Sequence, residues 1–358
     1  MKRIAQSIAT IIPMGGNLAE GNNSRRLTIA DVAQEAGVSS STVSRTLSGK
    51  VPVNDDTKKR VLAAIKKLGF TPNAMARSLR NKSTQTIGLV LPDLRNPFFS
   101  EIAWGVENES LKQGYNVLLC NTANSKQKEL SYARVLAEKR MDGVVFAASG
   151  DNKEAVQFLT NLQIPMILID RYIPDMGVDI VMSNNESGCR MAMEYLANLG
   201  HREIGMITGN PTLITIRQRS SAYYDFIKEN GLPSNDKWIV FGCESFDDGY
   251  NAGLRVLSTI NRPTAIIAGS DLIAVGVMSA ARELQLRVPQ DVSIVGYDDV
   301  PLSRLSNPPL TTIRQPISDM GKVAVRLLVQ KIRGTRKKQT SMVLPVELIV
   351  RGSTCPPS

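Results

Sequence analysis

Polar side chains that follow short apolar runs are the residues of this chain best suited to bind a ligand. Asp170 and Asp298 follow two such runs closely, and Arg219 lies in the segment that comes after a third run, at 204–207. Carboxylates accept hydrogen bonds and a guanidinium donates them in a planar fork, so this set can hold vicinal hydroxyl groups. Aromatic rings that can stack on a sugar or a purine are Phe98, Phe99 and Phe246. These residue types favour the binding of a small polar molecule.

Residues for covalent or metal chemistry are scarce. The chain has one histidine, His201, and four cysteines without a CxxC pair, which are Cys120, Cys189, Cys243 and Cys355. This pattern supports neither a histidine-pair metal site nor a zinc ribbon nor a disulfide-rich secreted scaffold. No Gly-Lys-Ser or Gly-Lys-Thr phosphate loop occurs. We therefore expect a non-enzyme with no catalytic residue, no metal and no cofactor, and the spread cysteines fit a reducing cytoplasm.

A second set of polar side chains lies in the first quarter of the chain. Arg45 can donate two hydrogen bonds to O6 and N7 of guanine. Ser40 and Ser41 have shorter side chains, and their hydroxyls can hydrogen-bond to more than one kind of base. Nearby hydroxyls suited to helix capping or phosphate contacts are Ser39, Thr42 and Ser44. This set favours contact with double-stranded DNA.

The charge of the chain is concentrated where those residues lie. Residues 1–86 contain 14 Lys and Arg against 5 Asp and Glu, whereas residues 87–358 contain 29 against 28. A basic module joined to a near-neutral body is typical of a nucleic-acid-binding domain attached to another domain. Residues 15–26 are rich in Gly, Asn and Ser, which favours a disordered extension over residues 1–26.

Three short amphipathic helices are predicted to carry the base-reading side chains. Thr28 and Asp31 have the form of a capping box, and Gly37 ends the helix that begins there. A second helix is predicted over residues 40–47 and a third over about 55–68. This arrangement predicts an all-α helix-turn-helix domain, whose second helix enters the major groove.

The remainder of the chain shows the rhythm of alternating strands and helices. Apolar runs separated by helix-length amphipathic stretches occur at 87–91, 117–120, 143–146 and 166–169, and again at 204–207, 238–241, 265–268 and 292–295. The two series predict an α/β body of two doubly wound parallel-sheet lobes. Ligands bind such sheets beyond the carboxyl ends of the strands, so a ligand cleft is expected between the lobes.

Four stretches near the N-terminus carry a family resemblance. They are TIADVAQEAGVS at 28–39, TVSR at 42–45, LGFTPN at 68–73 and ARSL at 76–79. In this order they resemble the LacI/GalR family of bacterial repressors. The resemblance implies a hinge helix that forms on operator DNA, with Leu79 levering into the minor groove at the centre of a palindrome, and therefore a homodimer. The residues expected to contact DNA are Thr28, Ser39, Ser40, Ser41, Thr42, Ser44, Arg45, Asn73, Ala76, Leu79 and Arg80.

The body also resembles this family, in its effector domain, which is similar to periplasmic sugar-binding proteins. Matching stretches are NPFFSEI at 96–102, IDR at 169–171, LGHR at 199–202, SDLIAVG at 270–276, GYDD at 296–299 and PLTTIRQ at 309–315. The effector-binding residues expected on this basis are Phe98, Phe99, Asp170, Thr215, Arg219, Phe246, Ser270, Asp298 and Gln315. The same resemblance gives His201 a structural role.

The expected domains follow from these assignments. Residues 1–26 are the disordered extension, 27–72 the helix-turn-helix domain, 73–86 the hinge helix and linker, 87–352 the two-lobed effector-binding and dimerisation domain, and 353–358 a tail.

The sequence predicts a cytoplasmic, homodimeric transcription regulator, a repressor of a palindromic operator that is controlled by a sugar or a sugar derivative. No apolar run is long enough to span a membrane. Three alternatives stay open at this point. The body could be switched by a protein partner, as in catabolite-control relatives of the family; it could be a solute receptor for transport, which the basic head disfavours; or it could be an enzyme, for which no acid/base pair is found.

Overall fold

The computed structural model describes residues 27–48, 51–70, 83–150, 152–336 and 338–358. These residues belong to two compact units, an N-terminal head and a larger body. The expected extension over 1–26 lies outside the described residues, as do the expected hinge contacts Asn73, Ala76, Leu79 and Arg80.

The head consists of three helices, α1 (Ile29–Ala36), α2 (Ser40–Ser48) and α3 (Asp55–Leu68). The predicted capping box is present, since the Thr28 and Asp31 side chains each bond the other residue's backbone N–H. Gly37 ends α1 with a φ of 64°, a backbone conformation that glycine adopts without strain. Three valines are fully buried at the centre of the bundle: Val32, Val43 and Val61. The helix-turn-helix prediction is confirmed.

The first lobe of the body is a six-stranded, wholly parallel sheet with helices on both faces. In chain order its elements are β1 (Thr86–Leu91), α4 (Pro97–Lys112), β2 (Asn116–Asn121), α5 (Lys126–Glu138), β3 (Gly143–Phe146), α6 (Lys153–Asn161), β4 (Met166–Ile169), β5 (Asp179–Ser183), α12 (Ile317–Ile332) and β11 (Ser341–Leu344). The strand order is β11-β5-β4-β3-β1-β2. Buried Val, Ile and Leu side chains on each sheet face explain the near-continuous apolar runs in the sequence.

The second lobe has the same design. Its elements are α7 (Asn185–Asn198), β6 (Ile204–Ile207), α8 (Ile214–Glu229), β7 (Ile239–Val240), α9 (Phe246–Leu257), β8 (Ala265–Ala268), α10 (Asp271–Glu283), β9 (Ser293–Asp298), α11 (Pro301–Leu305), β10 (Thr311–Arg314) and β12 (Glu347–Ile349). The strand order is β12-β10-β9-β8-β6-β7, parallel except for the antiparallel edge strand β12. None of the helices in the described ranges is long and apolar enough to cross a membrane.

All eight apolar runs named from the sequence contain strand residues, but four strands were not predicted. The run at 238–241 contributes only β7, because Trp238 belongs to a 3-10 turn before it. The missed strands are β5, β10, β11 and β12. Strand β10 begins with two threonines, and β11 is a largely exposed edge strand whose short apolar run, Met342 to Leu344, ends at Pro345.

Three crossings of the chain connect the two lobes. They lie at Asn184, at 315–316 and at 345–346. The Asn184 N–H donates to the Leu344 carbonyl at 2.9 Å, and the Ser183 hydroxyl donates to the Gln315 side chain. These bonds join the crossings to one another, so the lobes meet at a common pivot.

Helices α9 and α10 pack closely because glycines face each other at their contact. A Cβ on Gly276 would lie 2.3 Å from the Phe246 carbonyl oxygen and 2.7 Å from the Tyr250 backbone nitrogen. A Cβ on Gly249 would lie 2.5 Å from the carbonyl oxygen of Ile273. Backbone atoms cannot give way as a flexible side chain can.

Replacing Gly276 with alanine is therefore expected to lower the free energy of unfolding by about 1–3 kcal/mol, because the added methyl forces the two helices apart. Urea denaturation followed by circular dichroism measures the change. Ser279→Ala is the control, since Ser279 is a partly buried residue of the same helix. It is expected to change the free energy of unfolding by less than about 0.5 kcal/mol. Equal stability of the two variants would contradict the close packing.

Candidate ligand cavity and nucleic-acid interface

A cavity of about 80 Å³ lies between the two lobes, at the edge where the parallel strands end. Eight of the nine residues expected at the ligand line it: Phe98, Phe99, Asp170, Thr215, Arg219, Ser270, Asp298 and Gln315. Typical small-molecule sites measure roughly 300–1,000 Å³. The space that the lobes leave between them in this structure is thus small.

Arg219 is held rigidly at the centre of the cavity wall. It projects from α8, with Nε donating to Asn185 Oδ1 and Nη1 donating to the Gly269 carbonyl, both at 2.8 Å. Its guanidinium carbon lies 3.5 Å from the centre of the Tyr297 ring, a cation–π contact. Since the side chain is buried and fixed on three sides, its position is preorganised for a ligand that accepts hydrogen bonds.

Two buried carboxylates face the same space. Burial raises the pKa of Asp170, which nearby Arg171 and Arg219 lower in part. Burial likewise raises the pKa of Asp298, against the opposing effects of Arg219 and of the hydrogen bond that Gln315 Nε2 donates to Asp298 Oδ1 at 2.6 Å. Both residues have a positive φ, 60° at Asp170 and 117° at Asp298. Such backbone strain is concentrated at functional sites in proteins.

Eleven lining residues are not among the nine expected at the ligand, and three of them, Arg171, Asn124 and Glu244, make polar or cation–π contacts there. The Arg171 guanidinium lies 5.1 Å from the centre of the Phe99 ring, and its Nε lies 3.7 Å from Asp170 Oδ2. Asn124 Nδ2 donates to Glu244 Oε2 at 2.9 Å and so joins the two lobes at the cavity. Arg171 follows Asp170 at a strand end and could have been predicted on that ground. Glu244 and Asn124 also follow apolar runs, by three and four residues, but were not among the residues expected at the ligand.

The structure does not bring Phe246, the ninth expected residue, into the cavity lining. Phe246 is the first residue of α9, is 37% exposed, and stacks on Tyr250 with ring centres 6.5 Å apart. The residues of this loop that line the cavity are Cys243 and Glu244. A role for Phe246 at the ligand stays a prediction, and in this structure it lies two residues beyond Glu244 of the lining.

Ser270 both caps α10 and lines the cavity. Its hydroxyl accepts from the Ile273 N–H at 3.2 Å. The Asp271 carboxylate is buried and accepts from the Thr312 hydroxyl at 2.5 Å and the Val300 N–H at 2.9 Å. Asp271 therefore joins α10 to the neighbouring segments of lobe 2.

His201 lies outside the cavity lining. Its Nδ1 is 2.9 Å from the Thr264 hydroxyl, and its Nε2 is 2.9 Å from the carbonyl oxygen of Cys355. Burial lowers its pKa. These contacts fit the structural role expected for it, which is to hold the C-terminal segment against lobe 2.

The head presents the expected DNA-reading residues on α2. Ser40, Ser41 and Arg45 are exposed. Ser39 Oγ accepts from the Thr42 N–H at 3.2 Å and lies 2.8 Å from the hydroxyls of both Ser41 and Thr42. Ser39 is thus the N-terminal cap that was expected, and the Ser41 hydroxyl also belongs to this cap. The exposed guanidinium of Arg45 is the longest of these three reading side chains, so it can reach furthest into a groove.

Comparisons with known proteins follow the same division of the chain. Residues 28–73 match bacterial regulatory proteins of the lacI family, and residues 193–354 match a periplasmic binding protein-like domain. The HTH-type transcriptional repressor PurR of Aliivibrio salmonicida (strain LFI1238) is 36% identical over 327 residues, which cover 91% of this chain and 98% of that protein.

Two solved structures match most of the chain. The lac repressor dimer bound to operator and the anti-inducer ONPF is 27% identical with a TM-score of 0.84, and the transcriptional regulator CelR in complex with cellobiose is 30% identical with a TM-score of 0.71. Each match covers 92% of this chain and 100% of the other. With its helix-turn-helix head and periplasmic-binding-protein-like body, the chain belongs to the lacI family of bacterial regulatory proteins.

Proposed function

We propose that this protein is a cytoplasmic transcription repressor that binds a palindromic operator as a homodimer and responds to a small polar ligand between its lobes. The observation that carries the proposal is the cavity in which Arg219, Asp170 and Asp298 converge, in a chain that also carries an exposed α2 with Arg45. The head supplies sequence recognition and the body supplies control. No catalytic step is required of either.

The lining of the cavity favours a neutral polyhydroxyl ligand, a sugar or a sugar derivative. Carboxylates outnumber guanidinium groups there, with Asp93, Asp170, Glu244 and Asp298 against Arg171 and Arg219. Burial raises the pKa of Asp170 and Asp298 and so limits their negative charge, and Asp93 is paired with Arg95. The lining therefore has no excess positive charge to attract an anionic ligand, whereas hydroxyl groups can donate to the carboxyl oxygens and accept from Arg219. The rings of Phe98 and Phe99 offer the apolar surface that a pyranose face requires. The cellobiose in the CelR complex is a ligand of this class.

Control by such a ligand follows from the pivot between the lobes. The three crossings allow one lobe to rotate on the other, and the ligand shifts the balance of the two orientations only if its affinity for them differs. In a dimer, that rotation changes the separation of the two segments that lead to the heads. Operator affinity then depends on which orientation the ligand favours.

The proposal is tested by thermal unfolding of the full chain with a panel of monosaccharides, disaccharides, sugar phosphates and purine bases. A neutral sugar at about 100 times its Kd is expected to stabilise the protein by about 2.7 kcal/mol, a readily measured rise in Tm. Sugar phosphates are expected to give no rise. If no small molecule raises the Tm, control by a small ligand is wrong and a protein partner becomes the leading hypothesis.

A further inference from the structure

The Asp142 carboxylate binds the first described residues of the body. It accepts hydrogen bonds from the Ser83 hydroxyl at 2.6 Å, from the Thr84 N–H at 2.8 Å and hydroxyl at 3.2 Å, and from the Gln85 N–H at 2.8 Å. Residues 71–82, which precede Ser83, connect the body to the head along the chain. Four donors on one carboxylate make a strong attachment, because hydrogen bonds to a charged group are stronger than neutral ones.

The same carboxylate is connected to the ligand cavity through a single helix. Gln315 lines the cavity, its side chain bonds Asp298 and Ser183, and α12 begins two residues later. At the other end of α12, the side chains of Leu328 and Ile332 press against Gly143, where a Cβ would lie 2.8 Å and 3.1 Å from their terminal carbons. Gly143 directly follows Asp142. A helix of 16 residues is about 24 Å long and moves as one body.

We propose that Asp142 is a positioning residue that couples the ligand cavity to the segment entering the DNA-binding head. A displacement of Gln315 moves the start of α12, the far end of α12 displaces Gly143, and Asp142 carries residues 83–85 with it. This inference rests on the proposed function and adds a defined path for its regulation. If Asp142 served only to begin β1, its loss would lower stability but would not change how a substitution at Gln315 affects DNA binding.

A double-mutant cycle tests the proposal without a known effector. Operator Kd is measured for the full-length wild type, Gln315→Ala, Asp142→Ala and the double variant, with a palindromic duplex recovered by selection as the probe. Gln315→Ala is expected to change the Kd by about tenfold in the wild-type background. In the Asp142→Ala background, the same substitution is expected to change it by less than about twofold. Equal effects in both backgrounds would mean that the two sites are independent and would overturn the proposal.

Two further variants separate coupling from folding. Glu138→Ala removes one exposed negative charge four residues before Asp142 and is expected to leave the effect of Gln315→Ala unchanged. If Asp142→Ala does not fold, Asp142→Asn replaces it, because the amide keeps one acceptor oxygen while its NH2 group faces the remaining donors. An unchanged effect of Gln315→Ala in the Asp142→Asn background would then overturn the proposal.

Amide hydrogen exchange at Thr84 and Gln85 provides a readout that needs no DNA. Gln315→Ala is expected to speed exchange at both amides by at least about tenfold, and unchanged exchange would contradict the coupling. Faster exchange in Gln315→Ala, together with a wild type that binds no duplex, would refute the proposed function while leaving the coupling intact. A wild type that binds its operator but gives an additive cycle would refute the coupling alone.

Discussion

Replacing Arg219 with alanine is expected to weaken binding of the ligand identified by thermal unfolding by at least about 100-fold. The substitution removes the guanidinium that faces the cavity, which is the main charge opposing the raised pKa of Asp298 and the second, after Arg171, for Asp170. Truncating one partner of a buried, hydrogen-bonded charged contact costs about 2–5 kcal/mol of binding free energy. Titration calorimetry with wild type and variant measures the loss directly.

A matched control for this variant lies two residues away on the same helix. Arg217 is exposed and donates to the Thr212 carbonyl at 2.8 Å, so Arg217→Ala is expected to leave ligand affinity within about twofold of wild type. Ligand-free operator binding is expected to survive in both variants, because the head does not depend on the cavity for its fold. Wild-type ligand affinity in Arg219→Ala would remove this residue from the site.

Replacing Arg45 with alanine is expected to cost about 1–3 kcal/mol of operator binding per half-site and to relax the base preference at one position in each half. The reason is the loss of a side chain that can pair in two places with guanine. Binding of a set of single-base operator variants, measured by fluorescence anisotropy, reports both effects.

Lys59→Ala is the comparison for Arg45→Ala, since Lys59 is an exposed cation of α3 and not of the reading helix. It is expected to weaken binding to all duplexes about equally, if at all, and to leave base preference unchanged. If Arg45→Ala keeps the wild-type base preference at every operator position, another residue must recognise the bases.

Local patterns predicted the head and most of the body strands because the patterns lie within short windows of sequence. The capping box of Thr28, the glycine turn at Gly37 and the apolar runs of buried parallel strands are examples. Strands β10 and β12 show no such pattern, since β10 contains two threonines and β12 is a three-residue strand that begins with an exposed glutamate.

The cavity shows the same limit. Asp170 and Asp298 were predictable because they lie near strand ends. Arg219 was predictable because it follows a third apolar run and the family resemblance includes it. Glu244 and Asn124 meet only because the two lobes close on each other, which no local pattern encodes. Phe246 lies outside the lining for a related reason, because local sequence does not fix which residue of its loop reaches the cavity.

The most direct test of a ligand-controlled repressor is selection of bound sequences from a random duplex library by the full chain, with and without the sugar that raises its Tm. A palindromic sequence is expected to be enriched, and the sugar is expected to change the fraction of this duplex that is bound by at least about tenfold. A palindrome with recovery unaffected by any sugar would contradict control through the cavity. No enriched sequence under any condition would contradict the central claim that this protein reads an operator.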